Sequence, residues 1–169
     1  MRHVRLTLCL TLSLILLSCG AGIEERMRQK AADNIRSSVP HPDSLILRGF
    51  SKADSCFGDR YFSDEEIDTI YAVMEDVTEH IMQSTNDMTE YDPNDLSTNE
   101  LVERHMQASM SLNNITMLPQ SGNTMFTGWK LKAEYETVSS SGSHYKAERW
   151  FFFDKEGKTL LKTFELPLP

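Results

Sequence analysis

Three cysteines and five histidines are the residues of this chain best suited to ligate a metal or attack a carbon centre. Their spacing forms none of the usual constellations. There is no HExxH, no paired CxxC, no glycine-rich phosphate loop and no GxSxG. Of the histidines beyond His3, which are His41, His80, His105 and His144, only His80 and His105 fall on separate predicted helices that could approach each other. A histidine so placed is more commonly structural than a base or ligand. Cys56 is the one cysteine beyond the first twenty residues, and a lone cysteine is commonly a small buried apolar residue. The acidic stretch "DPNDLSTNE" offers Asp92, Asn94, Asp95 and Glu100 as oxygen ligands. It lacks the twelve-residue spread and central glycine of an EF-hand loop, and Asp95, Ser97 and Glu100 have a simpler use at a helix start. These residues imply no enzyme, no cofactor and no metal.

The first twenty residues contain a different kind of chemistry. Arg2 and Arg5 precede an uncharged, mostly apolar run from Leu6 to Leu17, the layout of a secretion signal. As a helix this run reaches only about 18 Å, against about 30 Å of hydrocarbon, so it is too short for a permanent span. Leu16-Leu17-Ser18-Cys19 resembles the lipobox of bacterial lipoproteins. That resemblance implies removal of residues 1–18, a diacylglyceryl thioether on Cys19 and an acyl chain on the new amino terminus. Three chains hold a protein almost irreversibly, since each buried CH₂ contributes about 0.8 kcal/mol. Gly20 stands where the resemblance would place an inner-membrane retention aspartate, which implies the periplasmic face of the outer membrane. Residues 19–22 then form a lipidated tether.

Removing residues 1–18 leaves 169 − 18 = 151 residues, enough for a single domain over 23–169. The segment removed carries two arginines and no acids, so the net charge of −8 becomes −10, which argues against nucleic acid as a partner. From Asp59 to Arg104 fourteen acids face only Arg60 and Arg104, whereas from Gln120 to Pro169 seven basic residues face six acids. A chain segregated in this way suits internal docking or a basic partner.

Those residues must be positioned by predictable elements. Ile23, Met27, Ala31, Ile35 and Val39 form a helical stripe that Pro40-His41-Pro42 ends, and "SLILRGF" reads as a strand. Ser63 with Glu66, and Ser97 with Glu100, fit capping boxes that open two helices within an acidic helical segment, 59–112. The first buries Ile67, Ile70, Tyr71, Met74, Val77 and Ile81; the second, less regular, uses Leu101, Val102, His105, Met106 and Leu112. Between them "STNDMTEYDPNDLSTN" reads as a loop.

A β-meander is predicted over 124–166, with turns at "SSSG" (139–142) and "DKEG" (154–157), each suited to a three-residue hairpin loop. Parity then pairs Trp129 with Phe153, Leu131 with Phe151 and Ala133 with Arg149, and sets Thr159 beside Phe153 and Leu161 beside Phe151. Trp129, Leu131, Phe151, Phe153 and Leu161 share a face expected to pack on the first helix. The other face carries Lys130, Lys132, Trp150, Phe152, Leu160, Lys162 and Phe164. Two covers suit it: the acidic middle helices, with lysine stems on the rings, or an external partner, which makes Lys130, Lys132, Trp150, Phe152, Lys162 and Phe164 the candidate binding face.

The expected fold is α+β, an N-terminal helix and a central helical pair on a curved antiparallel sheet of about four strands. In layout alone this order resembles cystatin-like and NTF2-like small domains. The expected function is a lipid-anchored, periplasmic, non-enzymatic domain that binds a protein or envelope component. A small-ligand pocket lined by Trp129, Phe151 and Phe153, catalytic if the NTF2-like resemblance extends that far, is the second reading. An inhibitor or immunity role for the acidic segment is the third. Asp43-Ser44-Leu45 and Asp68-Thr69-Ile70 resemble triplets glycosylated in some secreted bacterial proteins.

Overall fold

The computed structural model describes residues 22–117 and 124–169. The expected signal segment 1–18, Cys19 and the expected tether as far as residue 21 lie outside them. The described residues fold as α+β, three helices on an open five-stranded antiparallel sheet. Helix α1 (residues 22–38) buries the predicted stripe, with Met27, Ala31, Ile35 and Val39 all shielded from solvent. A 3-10 turn, Pro42–Ser44, leads into β1 (Ile46–Phe50), followed by β2 (Asp54–Phe57), α2 (Asp64–Ser84), α3 (Leu96–Thr116), β3 (Phe126–Val138), β4 (His144–Phe153) and β5 (Leu160–Leu168). Among the described residues no helix is long and apolar enough to cross a membrane.

Five strands occupy four sheet positions, because β1 and β2 lie end to end along the same edge of β3. β1 pairs with residues 133–136 and β2 with residues 126–130. The strand β2 has no counterpart in the predicted elements: Asp54-Ser55-Cys56-Phe57 shows little of the alternation that marks a strand, and pairing with β3 holds it in place.

The pairing of β3 with β4 follows the predicted register, Trp129 opposite Phe153, Leu131 opposite Phe151 and Ala133 opposite Arg149. The β3–β4 turn closes as expected, with the Gly142 amide donating to the Ser139 carbonyl at 3.1 Å. The β4–β5 turn is a correction. Gly157 N–H does donate to the Asp154 carbonyl at 3.0 Å, but the Asp154 carboxylate also accepts from the amides of Lys158 at 2.7 Å and Thr159 at 3.0 Å. That side-chain cap draws one more residue into the loop, and Phe153 pairs with Leu160. A bulge then absorbs Leu161, so that Phe152 pairs with Lys162 and Phe151 with Thr163. Leu160 takes the inward position predicted for Leu161, which is 57 % exposed. Beyond the bulge the predicted parity returns.

Both faces of the sheet are covered. α1 packs on Leu131, Ala133, Tyr135, Ala147, Phe151 and Phe153. α2 and α3 pack on the other face, over Trp150, Phe152, Phe164 and Leu166. α2 begins with the predicted capping box: Ser63 Oγ accepts from Glu66 N at 3.2 Å and the Glu66 carboxylate accepts from Ser63 N at 2.7 Å. It buries Ile70, Met74, Val77 and Ile81, while Tyr71 points outward. α3 starts earlier than predicted. Asp95, not Ser97, is its N-cap, accepting from Ser97 N and Thr98 N, because a carboxylate can take two amides and both hydroxyls together. Its buried stripe is Ala108, Leu112 and Ile115; Met106 lies on the outer side.

The bulge separates two neighbouring positions energetically. Phe152→Ala is expected to cost about 3–5 kcal/mol by leaving a cavity between sheet and helices, whereas Leu161→Ala falls within about 0.5 kcal/mol of the parent. Urea unfolding monitored by circular dichroism separates these outcomes, and equal losses would contradict the observed register.

Candidate functional site

Trp150, Phe152 and Phe164, the centre of the candidate binding face, lie beneath α2 and α3 at 1–6 % exposure and pack there as core, with Lys130 buried beside them, whereas Lys132 and Lys162 are half-buried. The Phe62 ring meets Trp150, Phe152 and Phe164 edge-on, at centroid separations of 5.0–5.8 Å. The lysines enter this layer only with partners. Lys130 is buried and pairs with Glu66 in the first turn of α2, with Asp54 of β2 at 3.6 Å. Lys132 donates to Glu148 at 2.5 Å, and the other oxygen of Glu148 accepts from Trp150 Nε1 at 2.7 Å. Lys162 lies 5.0 Å from the Tyr61 ring. The charge segregation of the sequence is thus partly used internally, acidic helix against basic strand.

The second predicted site also divides. Phe151 and Phe153 are fully buried beneath α1 and pack there as core. Trp129 and Phe153, joined by Phe152, Tyr61, Cys56 and Leu161, line a recess of about 170 Å³ where β2, β3 and the β4–β5 turn meet. Burial pushes the Cys56 thiol up to about 11, against a smaller opposing pull from Lys130. It is therefore a thiol and not a thiolate at neutral pH, a packing group by its chemistry. In the two Asp-Ser/Thr-apolar triplets, Ser44 Oγ donates to the His41 carbonyl and Thr69 Oγ1 to the Glu65 carbonyl.

A larger concavity lies at the opposite end of the sheet. A cleft of about 570 Å³ opens between the C-terminal end of α2 (His80, Ser84), the first two turns of α3 (Ser97, Glu100, Leu101, Arg104) and the sheet end formed by Glu136, His144, Tyr145, Lys146 and Leu168. Its helix wall carries Asp95 and Glu100; its sheet wall carries His144 and Lys146. Arg48 holds Glu136 by two hydrogen bonds, 3.0 and 2.7 Å, and keeps its carboxyl below the usual range. Hydrogen bonds from the hydroxyls of Thr98 and Ser97 lower the Asp95 carboxyl in the same sense.

Arg104 is the residue at this site that sequence reasoning missed. Its guanidinium lies 3.3 Å from the centroid of the Tyr145 ring and 3.3 Å from Glu165. Glu165 in turn receives Arg149 and the Tyr135 hydroxyl, and Arg149 reaches Ser38 of α1 at 2.6 Å. Burial, with Glu165 adding to it, pushes the Tyr135 phenol well above its ordinary value, so the hydroxyl remains a donor. Arg104 was one of only two basic residues in the acidic segment, which was the available signal.

His80 and His105 do not form a pair: His80 lines the cleft, whereas His105 is packed between α2 and α3. Thr78 Oγ1 donates to the Met74 carbonyl at 2.9 Å and so accepts from His105 Nε2 at 3.1 Å. Nδ1 is then the unprotonated nitrogen, buried without a hydrogen-bond partner among the described residues. Burial lowers the pKa of His105. Among the described residues no group of three or more His, Cys, Asp or Glu is placed to hold a metal ion. No protein-family model, curated protein or solved structure matches the chain.

Two measurements check this chemistry. Native Cys56 should react with iodoacetamide roughly two orders of magnitude more slowly at pH 7.5 than an unstructured thiol, from its thiolate fraction alone, and reach the free rate in denaturant. His105, with its folded pKa below its unfolded one, binds fewer protons in the native state. Its contribution is therefore complete above the ordinary histidine pKa and is lost as pH falls below it. Replacing His105 by Leu should flatten the stability profile below about pH 6.5, and an unchanged slope there would place the acid-sensitive group elsewhere.

Proposed function

We propose that the chain is a lipid-anchored envelope domain without enzymatic activity, held by an acylated Cys19 at the periplasmic face of the outer membrane, that binds a protein or envelope component through the cleft at the far end of its sheet. The lipobox-like Leu16-Leu17-Ser18-Cys19 supports the anchor. The observation that carries the binding reading is the cleft itself. At about 570 Å³ it falls in the range of specific ligand sites, and each wall carries both signs of charge, Asp95, Glu100 and Arg104 on the helix side and Glu136 and Lys146 on the sheet side. Such a cleft matches a ligand that displays both charges a short distance apart, as a peptide segment does. The hydroxyls of Ser97 and Thr98 that meet a carboxylate in this cleft are engaged with Asp95 in capping α3, which favours binding over catalysis. The inhibitor reading draws on the outward acids of α2, among them Asp68, Glu75, Asp76 and Glu79, which the internal lysine pairs leave to solvent.

A photo-crosslinking amino acid at His144, in cells, should trap one discrete adduct on a protein whose amino-terminal peptide carries acyl mass at Cys19. Lys146→Glu in the same chain is expected to lower the adduct yield about tenfold, equivalent to about 1.4 kcal/mol of affinity. The same adduct from a crosslinker at Asp76, or a yield indifferent to Lys146, would move binding away from the cleft.

A further inference from the structure

The end of the domain that carries the first turn of α1 also carries an aromatic edge. Three Cα steps separate Cys19 from residue 22, where α1 begins, so the chain can place at most about 11 Å between them. The first turn of α1 rests on the β4–β5 turn: a Cβ on Gly157, whose φ is 62°, would lie 2.7 Å from Ile23 Cγ2. In that turn the Lys155 carbonyl accepts from Trp129 Nε1 at 3.0 Å. The Phe126 ring meets the Trp129 ring edge-on at 5.2 Å, and Phe57 meets Phe126 at 6.0 Å. Phe57 is 54 % exposed, and Leu161, turned out by the β5 bulge, borders the recess beside Trp129. Lys155 and Lys158 flank the group, both exposed.

We propose that this edge, Phe57, Phe126, Trp129 and Leu161, docks into the interfacial layer of the bilayer that holds Cys19. The proposal rests on the anchor reading above. Tryptophan and phenylalanine favour the membrane interface, where a ring sits among acyl carbons while its polar end remains hydrogen-bonded, as Trp129 Nε1 is within its own turn. The short tether supplies the second argument. A surface held within about 11 Å of its anchor meets lipid at a far higher effective concentration than any diffusing partner. Charge is mixed here, since Asp59 lines the recess beside Trp129 and Leu161 and Arg60 pairs with Asp64, so apolar insertion provides the attraction and anionic lipid is not required. α1 then sets the opposite end, with the cleft, about 25 Å further from the bilayer.

The test uses the acylated protein in vesicles of zwitterionic phosphatidylcholine brominated in its acyl chains. Trp150→Phe leaves Trp129 as the sole tryptophan; if that variant fails to fold, the parent serves, because Trp150 is shielded beneath α2 and α3. The reference is Ser141→Trp, in the distal β3–β4 turn, with Trp129→Phe and with position 150 kept as in the protein it is compared with. Lipid quenching of Trp129 is expected to exceed that of the reference at least about twofold, with little change between low and high salt, and to fall to the reference level in Phe57→Ser/Leu161→Ser. Equal quenching at the two positions, with acyl mass present on Cys19, would overturn the docking proposal and leave the anchor standing. No acyl mass would remove the anchor and the docking with it. A blue shift of Trp129 that grows with protein concentration in lipid-free detergent would assign the edge to a second copy of the chain and overturn the lipid assignment.

Discussion

Four consecutive large rings, Trp150, Phe151, Phe152 and Phe153, set the architecture. Successive side chains of a strand point to opposite faces, so a run of this kind cannot be hidden by covering one side of a sheet. All four are buried, two against α1 and two against α2 and α3. A sheet covered on one face alone would leave Trp150 and Phe152 in water. The helical pair is therefore the second outer layer of the domain, and the sheet is its middle layer.

The same strand geometry explains the distribution of charge. Lys130 and Lys132 alternate with Leu131 on β3, so they must enter the layer that α2 and α3 cover. A buried ammonium is tolerated only with a partner, and the chain supplies one to each, Glu66 from α2 and Glu148 from β4. Glu66 also closes the capping box of α2. One carboxylate thus links the start of a helix to the docking of that helix on the sheet. Removing it would leave Lys130 buried without its closest partner and a backbone amide uncapped. The acids of the middle segment accordingly fall into two groups, those that pair inward and those that give α2 its solvated outer face.

Much of this was legible because it depends on period and parity. The α1 stripe, the β3–β4 register, the Ser63 cap and the return of parity along β5 all follow from which positions are apolar and which are turn-forming. What was not legible depends on competition between local groups or on contacts across the fold. Asp95 displaced Ser97 as the cap of α3 because it satisfies more donors, and Asp154 lengthened its turn for a similar reason. β2 carries almost no pattern of its own and exists because β3, thirteen residues long, has edge to spare beyond β1. The cleft was hidden because its walls come from the ends of elements far apart in sequence. Arg104, Tyr145 and Glu165 meet only after α3 has crossed β5.

The two ends of the sheet are built from opposite materials, and the direction of α1 connects them. At its first turn Ile23 meets Gly157 of a tight turn, within the apolar cluster that holds Trp129 and Phe153; at its last Ser38 accepts from Arg149, which also donates to Tyr135 and Glu165. Apolar packing fixes the first end and a charged network the second. Arg149 reaches α1 on one side while sharing Glu165 with Arg104 on the other, so α1 and α3, on opposite faces of the sheet, are joined through one carboxylate of β5. Arg104, Glu165 and Arg149 thus form one polar chain from the wall of the cleft to the last turn of α1.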